Sequence, residues 1–318
     1  MKPPYDITTE ILNLTASISE KLGAVDSFHL NKPSPKLRRE NRIKTVQSSL
    51  AIEGNTLSLD QVTAVFDNKK VAGPERDILE VKNAKNLYDR IGEFDPLSSV
   101  SFLKAHSILM KGLTESPGTY RSGSVGVVKG DEVMHLAPPG DRVGYLMKDL
   151  FGYLKNDKDT VLVKSCVFHY ETEFIHPFTD GNGRMGRFWQ SVILKSRYPV
   201  FEFLPVESII KQKQREYYDV LANCDSSGKS TEFIEFMLYI IDSELEKILL
   251  TQTRVLSSED RLNEAREKFS GKEFSRKDYL RMFKGISTAT ASRDLKSGTD
   301  LGILIKSGER NRTVYEFS

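Results

Sequence analysis

Apolar residues recur at helical spacing along nearly the whole chain, and within the first 250 residues only one segment breaks the pattern. A sequence of this kind is confined to a mainly α architecture. Ile7, Ile11, Leu12, Leu14 and Ile18 outline one amphipathic helix within the first 30 residues. A polar, proline-bearing stretch follows from Asn31 to Arg42. A second helical pattern, Ile43 to Ile52, then stops at Gly54-Asn55, a good C-terminal signal. Residues 75–93 and 100–112 predict further helices, and so does Val143 to Leu154. Val163, Cys166, Val167, Tyr170 and Phe174 form the buried stripe of the next helix. Met185, Phe188, Trp189, Val192 and Ile193 form that of a helix beginning near Arg184, and two more at 207–223 and 231–249 complete a bundle. The interruption runs from Ser124 to His135, where short β-branched runs flank Gly130-Asp131, the composition of a hairpin, and Pro138-Pro139 ends it.

Composition narrows the function classes. With 39% hydrophobic and 28% charged residues and a net charge of +2, the chain is an ordinary globular sequence, and bulk charge demands neither nucleic acid nor a membrane as partner. The longest strongly apolar run, Phe236 to Ile241, is too short to span a bilayer. The N-terminus lacks the apolar region of a secretory signal. Cys166 and Cys224 have neither metal-ligand spacing nor the look of a disulfide framework, so a cytoplasmic location with no membrane association is expected.

The chain divides into an N-terminal helical region (1–90), a core (91–250) and a distinct ending (251–318). Residues 271–318 carry 10 Lys and Arg against 6 Asp and Glu, a local +4 that leaves −2 for the rest. Their pattern is a helix (Arg276–Phe283), a tight turn (Lys284-Gly285-Ile286-Ser287), a helix (Thr288–Lys296) and two short strands across Ser307 to Asn311.

The chemistry concentrates in His176-Pro177-Phe178-Thr179-Asp180-Gly181-Asn182-Gly183-Arg184-Met185-Gly186-Arg187. Gly181-Asn182-Gly183 forms a tight turn opening the following helix. Its backbone N–H groups and the helix dipole make an anion cradle, to which the Asn182 side chain can add a donor. Arg184 and Arg187, at i and i+3, project from one side of that helix, away from its apolar stripe, and suit a polyphosphate. Asp180 offers a hard oxygen ligand of the kind Mg²⁺ shares with substrate phosphates. His176 is the nearby group whose ordinary pKa lies close to neutrality, which suits a general base acting on a hydroxyl. Singly, each element has a bland counterpart: a structural histidine, a plain turn, a solvated arginine face. Twelve contiguous residues carrying all of them favour the functional reading.

This segment resembles the signature of the Fic family, His-Pro-Phe-x-[Asp/Glu]-Gly-Asn-Gly-Arg-x-x-Arg, with no departure at a specified position, and the resemblance extends over roughly residues 40–250. It implies an all-α core with a β-hairpin flap and transfer of AMP from ATP, with Mg²⁺ (or Mn²⁺), to Ser, Thr or Tyr hydroxyls of target proteins, the chain itself included. On that likeness His176 deprotonates the hydroxyl and Asp180 holds the metal. Gly181, Asn182 and Gly183 cradle the α- and β-phosphates, and Arg184 and Arg187 the β- and γ-phosphates. The resemblance places Val127, Val128, Lys129 and Gly130 on the flap over nucleotide and target, and Tyr218 and Leu221 against the adenine. Seven residues after Tyr218, where some members carry Asn, this chain has Asp225, which puts base contact there in doubt.

Ser49-Leu50-Ala51-Ile52-Glu53-Gly54 matches the family's inhibitory pattern [Ser/Thr]-x-x-x-Glu-[Gly/Asn], in the subclass that carries it on an N-terminal helix. Glu53 is then expected to pair with Arg187 in the place of the γ-phosphate. The ending resembles a winged helix-turn-helix. On that likeness Thr288, Thr290, Ser292, Arg293 and Lys296 project from a recognition helix and Arg310 and Arg312 from the wing, making DNA an expected partner of 271–318. A packing or dimerisation role for the same module, giving a homodimer, stays open. Two other functions stay open as well: removal of AMP at the same site, and nucleotide sensing by a transcriptional regulator.

Overall fold

Residues 2–27, 35–123, 126–129, 132–252, 258–283, 286–308 and 313–318 are described by a computed structural model. Their contacts divide the chain into two units, Met1–Leu249 and Leu250–Ser318.

In the first unit, helix α1 (Thr9–Ser27) buries Ile11, Leu14, Ile18, Leu22 and Val25, a stripe of three- and four-residue steps. Leu12 stands about 100° around the helix from Ile11 and faces outward, and Ile7 precedes the helix; both are exposed, so neither belongs to the expected stripe. Helix α2 (Pro35–Ile52) starts well ahead of the periodic run at Ile43. Proline fits the first helical turn, where its missing N–H costs nothing, so part of the polar stretch is helical. The short helix α3 (Leu59–Phe66) has no counterpart in the sequence reading. Its signal was a capping box, in which Gln61 N–H donates to Ser58 Oγ (3.2 Å) and Ser58 N–H to Gln61 Oε1 (2.8 Å). Helices α4 (Glu75–Asp89) and α5 (Ser99–Leu109) follow.

Strands β1 (Gly126–Lys129) and β2 (Glu132–Leu136) form the antiparallel hairpin, with Val127 opposite His135, Lys129 opposite Glu132, and a register shift between Val127 and Val128. Helix α6 (Gly140–Asn156) leads to the central pair, α7 (Val161–Ile175) and α8 (Asn182–Arg197). The stripe Met185, Phe188, Trp189, Val192 and Ile193 is buried as its spacing predicts, each such large side chain contributing about 1.5–3 kcal/mol. Trp189 meets Phe102 edge to face (5.1 Å), and its indole N–H donates to the Pro96 carbonyl (3.2 Å). The region read as one helix over 207–223 is two, α9 (Val206–Gln212) and α10 (Gln214–Ser227), because Lys213 leaves helical geometry (φ −104, ψ 28); α11 (Thr231–Gln252) follows. Cys166 is buried and its thiol is pushed up to about 12 by that burial, as expected of an inert core cysteine. Among the described residues no helix is long and apolar enough to cross a membrane.

One buried carboxyl in this unit makes stability depend on pH. Glu207 of α9 is 2% exposed, accepts a hydrogen bond from Tyr88 Oη (3.1 Å), and is pushed up to about 7 by burial. Its folded pKa therefore lies above the unfolded value. Between about pH 5 and 7 the unfolded chain releases a proton that the fold keeps, so this group's contribution to stability falls as pH rises. Glu207→Gln keeps an acceptor for Tyr88 and removes the titration. The stability of the variant relative to the parent should rise by about 2.5 kcal/mol from pH 5 to pH 8 in urea melts. A flat difference across that range would mean that Glu207 titrates like an exposed acid.

The second unit has its own core of Leu262, Ala265, Phe274, Tyr279, Ala291, Leu295 and Leu304. It comprises α12 (Ser258–Phe269), α13 (Arg276–Met282), α14 (Thr288–Asp300) and the antiparallel strands β3 (Leu304–Ser307) and β4 (Val314–Phe317), with Phe274 bridged to Tyr315. Residues 258–268, rich in charge, are helical. Arg261 donates a buried two-pronged pair to Asp294 of α14 (2.6 and 2.8 Å), a strong geometry that turns a polar helix inward. Thr288, Arg293 and Lys296 are exposed along α14, and Ser292 Oγ accepts from Arg276 Nη1 (3.1 Å). Lys284, Gly285, Arg310 and Arg312 lie outside the described residues.

Candidate active site

The six residues between α7 and α8 shape the site. His176 ends α7 in the left-handed region (φ 50, ψ 61), a conformation uncommon for a residue with a side chain. Its Nδ1 lies 3.3 Å from the Glu173 carbonyl. A carbonyl only accepts, so Nδ1 carries the proton and Nε2 is the basic nitrogen. Asn182 closes the loop: its Oδ1 accepts from Phe178 N–H (2.8 Å) and its Nδ2 donates to the Phe178 carbonyl (2.9 Å). The amide expected to reach an anion thus holds the main chain instead. Gly181 caps α8 at φ 86, which favours glycine, and among the described residues no side chain caps the helix, whose first turn holds no acidic residue. The first N–H groups of α8 therefore remain available to an anion.

His106 of α5, which the sequence reading did not single out, supports this loop from below. Gly118 N–H donates to its Nδ1 (2.8 Å), so Nε2 carries the proton and donates to the Asp180 carbonyl (3.0 Å). Burial pushes the ring down to about 4, keeping it neutral, and Phe178 stacks on it at 3.5 Å.

The two arginines diverge. Arg187 is buried and reaches α2: Nε donates to Ser49 Oγ (3.2 Å), and Nη2 to the Ser49 carbonyl (3.1 Å) and Glu53 Oε1 (2.6 Å). Burial is the largest single influence and opposes its charge, but Glu53, Tyr217 and Glu173 together outweigh it and leave the pKa raised. Gly54, next to Glu53, ends α2 at φ 92. Arg184 turns toward α4, donating from Nη1 to Glu80 Oε1 (3.0 Å) and from Nη2 to Asp180 Oδ1 (2.8 Å), while Arg76 donates to Asp180 Oδ2 (3.1 Å). Two buried donors, Arg187 Nη1 and Arg184 Nε, have no partner among the described residues, an arrangement that invites an acceptor. A Cβ on Gly183 would collide with Glu53 Oε1 and come within 3.1 Å of Arg187 Nη1 and 3.2 Å of Glu173 Oε1, so three charged groups converge over this one position.

A cleft of about 460 Å³ unites these parts. Its walls include His176, Asp180, Gly181, Asn182, Gly183, Arg187 and Glu53, with Tyr218, Leu221 and Asp225 at α10 and Tyr170, Glu173 and Phe174 on α7. Arg184 is not among these wall residues and donates to Asp180, which is. Asp225 accepts from Tyr170 Oη (3.0 Å), and Tyr218 Oη and Gln214 Nε2 both donate to the Ile52 carbonyl (3.4 and 2.9 Å), linking α10 to the end of α2. Val127, Val128 and Lys129 lie on β1, and Gly130 falls outside the described residues. Asp180, 40% exposed in the cleft, offers one carboxylate. That fits an Mg²⁺ shared with substrate phosphates, not a cage of protein ligands, and no group of three metal-binding side chains occurs among the described residues.

Residues 96–194 match the model of the Fic/DOC family. A crystal structure of a Fic family protein from Desulfovibrio desulfuricans G20 is 41% identical, superposes with a TM-score of 0.80, and is covered over 98% of its length by 100% of this chain. Fic-1 (residues 134–508) from Caenorhabditis elegans, at 22% identity and a TM-score of 0.61 over 75% of this chain and 73% of that one, shares the fold. Among curated proteins, one named Protein adenylyltransferase Fic from Nematostella vectensis is 28% identical over 262 residues, 77% of this chain and 57% of the relative. Protein adenylyltransferase fic-1 from Caenorhabditis elegans is 27% identical over 266 residues, 78% and 49% respectively. The chain spans about half the length of these curated relatives.

Proposed function

The chain belongs to the Fic family, and from that premise we propose that it is a protein adenylyltransferase, moving AMP from ATP to hydroxyl side chains and restrained by Glu53. The observation that carries this reading is the ion pair at 2.6 Å between the buried Arg187 guanidinium and the partly exposed Glu53 near the N-terminus of α8, a carboxylate where a phosphate would be received.

In the reaction, the base of ATP lies against Tyr218 and Leu221, and the phosphates meet the N–H groups at the start of α8 and the Arg187 guanidinium. Nε2 of His176 takes the proton of the target hydroxyl, whose oxygen forms a bond to the α-phosphorus as the bond to the β-phosphate oxygen breaks and pyrophosphate leaves. Asp180, oriented by Arg184 and Arg76, would hold Mg²⁺ (or Mn²⁺), which when bound offsets charge on the departing phosphates. The hairpin, whose strand β2 contacts α10, supplies an edge for an extended target segment. The test is the intact mass of the chain after incubation with ATP and Mg²⁺, with and without protein lysate. A gain of one AMP on the chain or on lysate proteins, lost with a chelator, is the expected result; no gain under any condition, even without Glu53, would sink the reading.

A second reading, removal of AMP from modified proteins, draws on the 31% exposure of the Glu53 side chain in the same cleft, where it could orient water. AMP released from a pre-modified protein by the unaltered chain, faster than by Glu53→Gln, would favour it. We also propose that residues 271–318 bind DNA through the exposed Thr288, Arg293 and Lys296 of α14. Fluorescence anisotropy on genomic duplexes should show binding that weakens steeply with salt. Equal, weak binding to every duplex would leave the module a packing domain.

A further inference from the structure

Arg121 precedes the hairpin and is 5% exposed. Its Nε donates to the His176 carbonyl (2.6 Å), and its Nη2 to the Ile175 carbonyl (3.0 Å) and the Pro138 carbonyl (2.7 Å). Its Nη1 donates to the Gly123 carbonyl (2.6 Å), and its own N–H to the Pro177 carbonyl (2.9 Å). Among the described residues every acceptor is a main-chain carbonyl. Three of them belong to consecutive residues, 175 to 177, at the turn that carries His176. The other two flank the hairpin, one on each leg. Gly140 completes the stem, since a Cβ there would collide with the Ser122 carbonyl.

Two physical facts give this fork a purpose beyond filling space. First, His176 sits in the left-handed region, which persists only where surrounding contacts over-determine it. Carbonyls 175 and 176 straddle the His176 φ and ψ angles, and both point at one planar guanidinium. Second, a guanidinium holds its five donors in fixed directions, so it constrains relative orientation where an ammonium would only attract.

We propose that Arg121 is a positioning residue that makes the hairpin stem and the His176 turn one mechanical element, so that a target segment seated on the hairpin is registered against the base. The residue touches neither nucleotide phosphates nor the reacting oxygen; it acts through the main chain of His176.

Arg121→Lys keeps the charge and loses the fork. In hydrogen–deuterium exchange, segments 132–140 and 174–182 should gain deuterium together, while 161–170 of α7 stays unchanged. In a Glu53→Gly background the variant should lose on the order of 10²-fold in kcat for AMP incorporation, with the Kd for ATP unchanged by calorimetry, as misplacing a catalytic group predicts. Loosening of one segment without the other, or an unchanged kcat, overturns the proposal. Should the lysine variant fail to fold, native-state exchange on the unaltered chain decides: the N–H groups of Arg121 and Phe178 should open with the same denaturant dependence, and different dependences refute the coupling. The kinetic arm rests on the transferase reading; the exchange arms do not, so a chain that never transfers AMP still tests Arg121.

Discussion

Glu53→Gly should raise the rate of AMP incorporation, into the chain itself and into target proteins, by roughly ten- to a hundredfold. The charge-assisted bond between Glu53 Oε1 and Arg187 Nη2 is 2.6 Å long, and the Arg187 side chain is almost wholly buried. A hydrogen bond to a charged group stabilises by about 1.5–3 kcal/mol, and each 1.36 kcal/mol is a factor of ten in rate. A nucleotide that must displace Glu53 loses that much before its phosphates can settle on Arg187. Glycine at 53 also clears the space above Gly183, which Glu53 Oε1 now fills. Arg187 keeps Ser49 and the nearby Glu173, so the variant should fold normally. Glu53→Gln, of similar size but uncharged, should fall between the two. The measurement is the initial rate of AMP transfer by intact mass. A parent that already matches the glycine variant, with ATP bound equally well by both, would refute the restraint.

His176→Asn, made in the Glu53→Gly background, should abolish that gain, lowering transfer by about 10²–10⁴-fold, the range general-base removal commonly costs. Asparagine tolerates the left-handed region better than alanine, so the turn at φ 50 should survive. The bonds from Arg121 go to main-chain carbonyls and should survive too. ATP affinity should then hold, because the α8 N-terminus and Arg187 are untouched. Calorimetry on the double variant separates the outcomes: ATP bound with no transfer supports His176 as the base, whereas transfer within tenfold of the parent would assign the proton to another group.

Much of the site was legible because its residues are contiguous. His176 through Arg187 occupy one loop and one helical turn, so spacing alone implied a shared direction and an anion cradle. The divergence of Arg184 from Arg187 was not legible, because it is decided by Glu80 on α4 and Ser49 on α2, far away in sequence. Arg121 and His106 escaped for a related reason. Every described partner of Arg121 is a backbone carbonyl, and His106 is fixed by a glycine N–H and the Asp180 carbonyl. Groups that bind main chain leave no complementary side-chain pattern to read. In the fold, strongly periodic helices were plain, whereas α3 is short and announced only by its cap, and the break at Lys213 follows no local signal. The helix α12 was masked by its charge until Asp294 gave Arg261 a buried partner.

The two units keep separate apolar cores, one running from Ile11 to Leu245 and the other from Leu262 to Leu304. A recombination breakpoint near residue 250 would divide neither of them. Heredity can therefore shuffle the two pieces: a gene could gain, lose or exchange the C-terminal module without compensating substitutions in the core of the other.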